Sequence, residues 1–87
     1  MAYAERSDEE IIAAYERMIS RHPAPDRVVL TILLEGGKNI SYTVRQIVEG
    51  VKARDTFLFQ VFVRDFRELF RKNNLDPVTI LDDEFRK

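Results

Sequence analysis

His22 is the only histidine of the chain, and it immediately precedes Pro23. Imidazole titrates nearest neutrality, so acid–base or nucleophilic chemistry would have to be organised around it. No serine or carboxylate stands at a spacing that assembles a relay with it, and the chain has no cysteine. His22 is therefore expected on a surface turn, and the chain is expected not to be an enzyme. Asp82-Asp83-Glu84 is the densest run of carboxylates. A calcium loop alternates its oxygen ligands and needs a glycine at its sharp turn, whereas adjacent helical positions diverge in direction. The run is expected to be a solvated helix face, with no metal site. Gly36-Gly37-Lys38 invites a phosphate-loop reading, but the wider glycine spacing is missing and Asn39 stands where a hydroxyl should follow the lysine. No cofactor is expected.

Recognition chemistry is better represented than catalysis. The 14 basic and 15 acidic residues nearly cancel, yet their distribution is uneven. Between Gly36 and Arg54, four cations (Lys38, Arg45, Lys52, Arg54) face only Glu49, whereas residues 1–26 hold six acids and three bases. If the two stretches occupy different surfaces, complementary fields can orient an encounter with another protein or a second copy. Arg45, Lys52 and Arg54 are therefore expected partner-binding residues. An alternative uses the same segment as a helix-turn-helix, with Lys38, Ser41, Tyr42, Thr43, Arg45 and Gln46 presented to DNA. It is the weaker reading, because the connection from Gly36 to Ser41 is long for that turn and four cations neutralise few phosphates.

The elements that would position these residues follow from periodicity and caps. Ser7 with Glu10 three residues on is a capping box, and Ile11, Tyr15, Met18 and Ile19 then share one face until Pro23 and Pro25. Asp26 is expected to cap a short helix over 27–35 with Val28, Val29, Ile32 and Leu33 on one side and Gly36 closing it. A hairpin over 28–44 is the alternative, favoured by the β-branched residues and the glycine turn. Thr43 and Gln46 form a second capping box for a helix burying Val44, Ile47, Val48 and Val51. Gly50 within it suggests close approach by a neighbour. Asp55 or Thr56 opens the longest helix, to about Asn73, with Phe59, Phe62, Val63, Phe66, Leu69 and Phe70 as core. Its first turn is over-apolar: Phe57, Leu58 and Val61 lie around the side that later becomes charged, so they join the list of partner-binding residues. Asp76-Pro77 begins a last short helix.

These elements predict an all-α fold, a compact five-helix bundle whose size and helix count resemble those of death-fold adaptor domains. One domain is expected over 1–87, frayed at 1–6 and 86–87. With no cysteine, no export signal and no long apolar run, the expected setting is the cytoplasm and no membrane is a partner. The expected function is a non-catalytic protein–protein interaction or assembly module, self-associating or acting as an adaptor.

Overall fold

The computed structural model describes residues 3–84. The first helix, α1 (Asp8–Arg21), begins where the capping box places it. Ser7 Oγ accepts the Glu10 amide at 3.1 Å, and the Glu10 carboxylate accepts the Ser7 amide at 3.2 Å. Three acids in the first turn suit the helix dipole, and the chain turns extended at His22 before Pro23. The expected stripe faces inward: Ile11, Tyr15 and Met18 are buried together with Ile12 and Ala14, and Ile19 packs at the margin.

The expected helix over 27–35 does not form. Val28–Leu33 is a strand, β1, paired antiparallel with β2 (Asn39–Thr43) in the register Leu30↔Tyr42, Thr31↔Ser41, Ile32↔Ile40 and Leu33↔Asn39. The register shifts between Val28 and Leu30, leaving Val29 as the extra residue of a bulge. Two features decide against the helix. Gly36 and Gly37 both hold positive φ, 83° and 81°, which reverses the chain, whereas a helix end needs only one such residue. The flanking Val28, Val29, Thr31, Ile32 and Ile40 are β-branched, stiff at χ1 and better accommodated on a pleated surface. Among the described residues the architecture is accordingly helix-dominated but mixed, with four helices and one hairpin in place of the expected five-helix bundle.

Helix α2 (Val44–Lys52) starts at its own capping box, the Thr43 hydroxyl accepting the Gln46 amide at 3.1 Å and the Gln46 side chain accepting the Thr43 amide at 2.9 Å. Val44, Ile47, Val48 and Val51 are its buried face. A Cβ built on Gly50 would lie 3.2 Å from Cβ and Cγ of Leu58 and closer still to its Cδ1, so the neighbour foreseen at this glycine is the Leu58 side chain. Arg54 takes a positive φ of 57° to redirect the chain, and Asp55 then accepts the amides of Phe57 and Leu58. Helix α3 spans 56–72: α-helical turns at Thr56–Phe59 and Phe66–Lys72 flank a π-helical stretch, Gln60–Asp65. Asp76 then opens α4 (Pro77–Glu84), its carboxylate accepting the Val78 amide at 3.1 Å and the Thr79 hydroxyl at 2.8 Å.

The core lies between α1, α2, α3 and α4, with Ile11, Val51, Val63 and Pro77 fully enclosed. Tyr3 donates its amide to the Asn74 side chain and Arg6 reaches across to Asp76, laying residues 3–6 over the α3–α4 turn. The fraying expected at 1–2 and at 86–87 lies outside the described residues. Leu30 and Tyr42 root the hairpin against the core. Its distal part projects, consistent with extents of 42 × 27 × 21 Å and a radius of gyration of 13.4 Å against the roughly 12 Å typical of a chain this long.

Candidate functional site

Two apolar features stand out on the surface. The first is the hairpin. Leu33 is 78% exposed, and Val28, Val29, Leu34 and Ile40 are between 40% and 53% exposed. Phe57, itself exposed, stacks on Tyr42 at the hairpin's root with ring centroids 6.5 Å apart and planes 23° apart. No charged residue occurs between Val28 and Leu34. A strand pair so uncovered and so neutral is unusual, because exposed edges are ordinarily guarded by charge, proline or a covering element.

The second is a groove along α3, of about 560 Å³, whose apolar lining is Val61, Phe62, Phe66 and Leu69 and whose rim carries Asp65, Glu68 and Lys72. Phe62 and Phe66 also wall a smaller depression of about 290 Å³ on the other side, against Tyr15, Met18, Val29 and Ile47. The π-helical stretch shapes both. The Phe66 amide points to the carbonyls of Val61 and Val63 and passes over that of Phe62, which accepts the Tyr15 hydroxyl at 2.8 Å instead. The inserted residue thus re-aims Phe62 without leaving a carbonyl orphaned. Tyr15 meets Phe62 edge-on at 6.5 Å and Phe66 at 6.0 Å, and burial pushes its phenol well above the ordinary value.

The residues singled out in the sequence are dispersed. Leu58, expected at a partner surface, is 4% exposed and packs in the core beneath Gly50. Phe57 is on the surface and Val61 is half-buried on the groove wall. Leu69, expected in the core, is 56% exposed: the π-helical insertion rotates the later turns relative to a regular helix.

The charged residues are also rearranged. Arg45 pairs with Asp26 at 2.8 Å and Arg54 with Glu9 at 2.8 Å, while Lys52 is exposed. The two stretches of opposite sign therefore meet at two ion pairs inside one protomer instead of standing wholly apart. The Arg45 hydrogen bond holds the Asp26 carboxyl below its ordinary value. Arg54 and Arg64 also sit over the Phe59 ring, 4.8 and 5.2 Å from its centre.

The helix-turn-helix alternative loses its first helix to β1. Of its residues, Thr43 and Gln46 are occupied in capping α2, Ser41 shares a hydrogen bond with Thr31, Tyr42 stacks on Phe57, Arg45 is ion-paired, and Lys38 sits beyond the hairpin turn. Gly36-Gly37 serve that turn. His22 Nδ1 accepts the Ala24 amide at 3.0 Å in the connection after α1. Asp82, expected on a solvated face, is held by Arg17 at 3.0 and 3.1 Å and by Arg21 at 3.5 Å. Among the described residues, no group of three or more histidine, cysteine or carboxylate side chains could hold a metal ion, and no helix is long and apolar enough to cross a membrane.

Comparison with protein-family models, with curated proteins and with solved structures finds no match to this chain.

Proposed function

We propose that this chain is a small, non-catalytic protein-interaction module that works by assembling with further copies of itself in the cytoplasm. The observation that carries the reading is the projecting hairpin, which beyond its root on the core leaves large uncharged side chains exposed among the described residues. An apolar surface of this kind is costly to keep in water and is relieved by a partner. The α3 groove adds a second apolar surface of the sort that fills on association. Light scattering of the purified chain across concentration tests the reading. A mass that rises above one chain with concentration supports it, and a chain monomeric throughout overturns it.

A further inference from the structure

We propose that two copies pair along the free edge of β1, forming a four-stranded antiparallel sheet centred on Thr31, with Arg27 of each copy at the same end of the ladder as the partner's Glu35. The proposal rests on the self-assembly reading above and specifies its geometry.

Among the described residues the sheet has two strands, so β1 carries main-chain donors and acceptors on the side away from β2. Which residues supply them follows from the turn. The Leu34 amide donates to the Lys38 carbonyl at 2.7 Å, making that pair a hydrogen-bonded one. Hydrogen-bonded and non-bonded pairs alternate along an antiparallel ladder, so Ile32 and Leu30 bond to β2 while Leu33 and Thr31 turn their amides and carbonyls outward. The Thr31–Ser41 hydroxyl contact at 3.1 Å fits a non-bonded pair, where side chains lie closest. Val29, the extra residue of the bulge, is left without a β2 partner. Thr31 and Leu33 therefore form the accepting edge. No hydrogen bond outside the ladder engages their main chain among the described residues.

Three antiparallel registers let these outward groups meet their copies in a second chain, and charge chooses among them. Centring on Leu30 sets Arg27 opposite the partner's Leu33, and centring on Ile32 sets it opposite the partner's Gly37. The register centred on Thr31 brings Arg27 and the partner's Glu35, which flank the strand beyond the Val29 bulge and at the turn, to the same end of the ladder, twice by symmetry. Arg27 and Glu35 are exposed, and neither enters an ion pair among the described residues, whereas seven other arginines do. The β2 edge offers no equivalent, because α2 begins at Val44 directly after β2 and no opposite charges flank β2 symmetrically. In the Thr31 register the two Thr31 residues exchange a pair of main-chain hydrogen bonds, and each Leu33 meets the partner strand at its bulge. The contact is short by the standard of permanent dimers, so the pair is expected to dissociate on dilution.

Sedimentation equilibrium on the full chain, from about 10 µM to about 1 mM, reads the association. Arg27→Glu and Glu35→Arg each bring like charges to the same end of the ladder twice and are expected to weaken dimerisation by about tenfold, with the double swap restoring it. Thr31→Pro removes an outward amide that the hairpin itself does not use, and is expected to abolish the dimer while leaving helical circular dichroism intact. In the unmodified chain, hydrogen exchange at the Thr31 and Leu33 amides is expected to slow as concentration rises, whereas Ile32 is protected throughout. A dimer indifferent to the swaps, with Thr31 exchanging equally fast when dilute and concentrated, overturns the β1 pairing and leaves self-assembly standing. A chain monomeric at every concentration overturns both.

Discussion

Replacing Asp76 by Asn isolates the charge that locks the N-terminal segment to α4. The Asp76 side chain is nearly enclosed and accepts from Arg6 Nε at 3.0 Å, Arg6 Nη2 at 2.5 Å, the Thr79 hydroxyl and the Val78 amide. The Arg6 hydrogen bond is the largest influence on the carboxyl and, against the opposing effect of burial, lowers it from 3.8 to about 2. A carboxylate whose pKa falls on folding adds stability that is complete above its unfolded value and is lost as pH drops through its folded value. The drop is worth about 2 kcal/mol at pH 7 and about 1 kcal/mol at pH 3, and it vanishes below about pH 2. Asparagine retains an oxygen for the Val78 amide, so the cap survives and the difference reports the ionic part. Thermal unfolding by circular dichroism is expected to place Asp76→Asn about 10 °C below the unmodified chain at pH 7, with the gap narrowing steadily towards pH 3. A gap that stays constant with pH, or one under about 2 °C at pH 7, would refute the ionic account of this contact.

Gly50→Ala gains helix propensity but drives a methyl group into Leu58, so urea denaturation is expected to show a net loss of about 1 kcal/mol, with Gly50→Ala/Leu58→Ala costing less than the two single changes added together. Tyr15→Phe strips the Phe62 carbonyl of its hydroxyl partner and is expected to cost about 1 to 3 kcal/mol in the same assay; no loss would mean that the π-helical stretch holds itself. Phe57→Ala removes an exposed ring stacked on Tyr42 and is expected to leave the melting transition nearly unchanged while reducing the mass seen by light scattering at high concentration.

Helix starts were the most legible part of the chain, because each is written in two or three adjacent residues: Ser7 with Glu10, Thr43 with Gln46, Asp55, and Asp76 before Pro77 all cap where their spacing says they should. The buried faces of α1 and α2 followed from the 3.6-residue period. Residues 27–35 were not legible in the same way. In a short apolar run, Val28, Val29, Ile32 and Leu33 fit a helical face as well as a strand, and the answer lies in Gly37, whose second positive φ turns a helix stop into a reversal. Leu69 was misplaced for a related reason. Nothing in Gln60–Asp65 announces an inserted residue, which is held by a tyrosine hydroxyl from a helix 47 positions earlier in the chain. The charge reading failed on the same kind of long-range fact, since sequence blocks of opposite sign became neighbours through Asp26–Arg45 and Glu9–Arg54.

That internal pairing bears directly on how the molecule would recognise anything. Two of the cations expected to face a partner are spent within the protomer, so long-range steering by a charged face would contribute little to the proposed association. What the fold leaves exposed is largely apolar and main-chain: the β1 edge, the side chains around it, and the α3 groove. Recognition through main-chain hydrogen bonds fixes direction and register but reads little sequence, so selectivity must come from the few groups flanking the strand. Arg27 and Glu35 stand four residues either side of Thr31, one at each end of an uncharged stretch, and antiparallel pairing alone makes that spacing self-complementary. Salt separates the two accounts. Screening should weaken a dimer aligned by two exposed ion pairs only modestly while its backbone ladder persists, whereas one assembled by opposed charged faces should fall apart steeply as ionic strength rises.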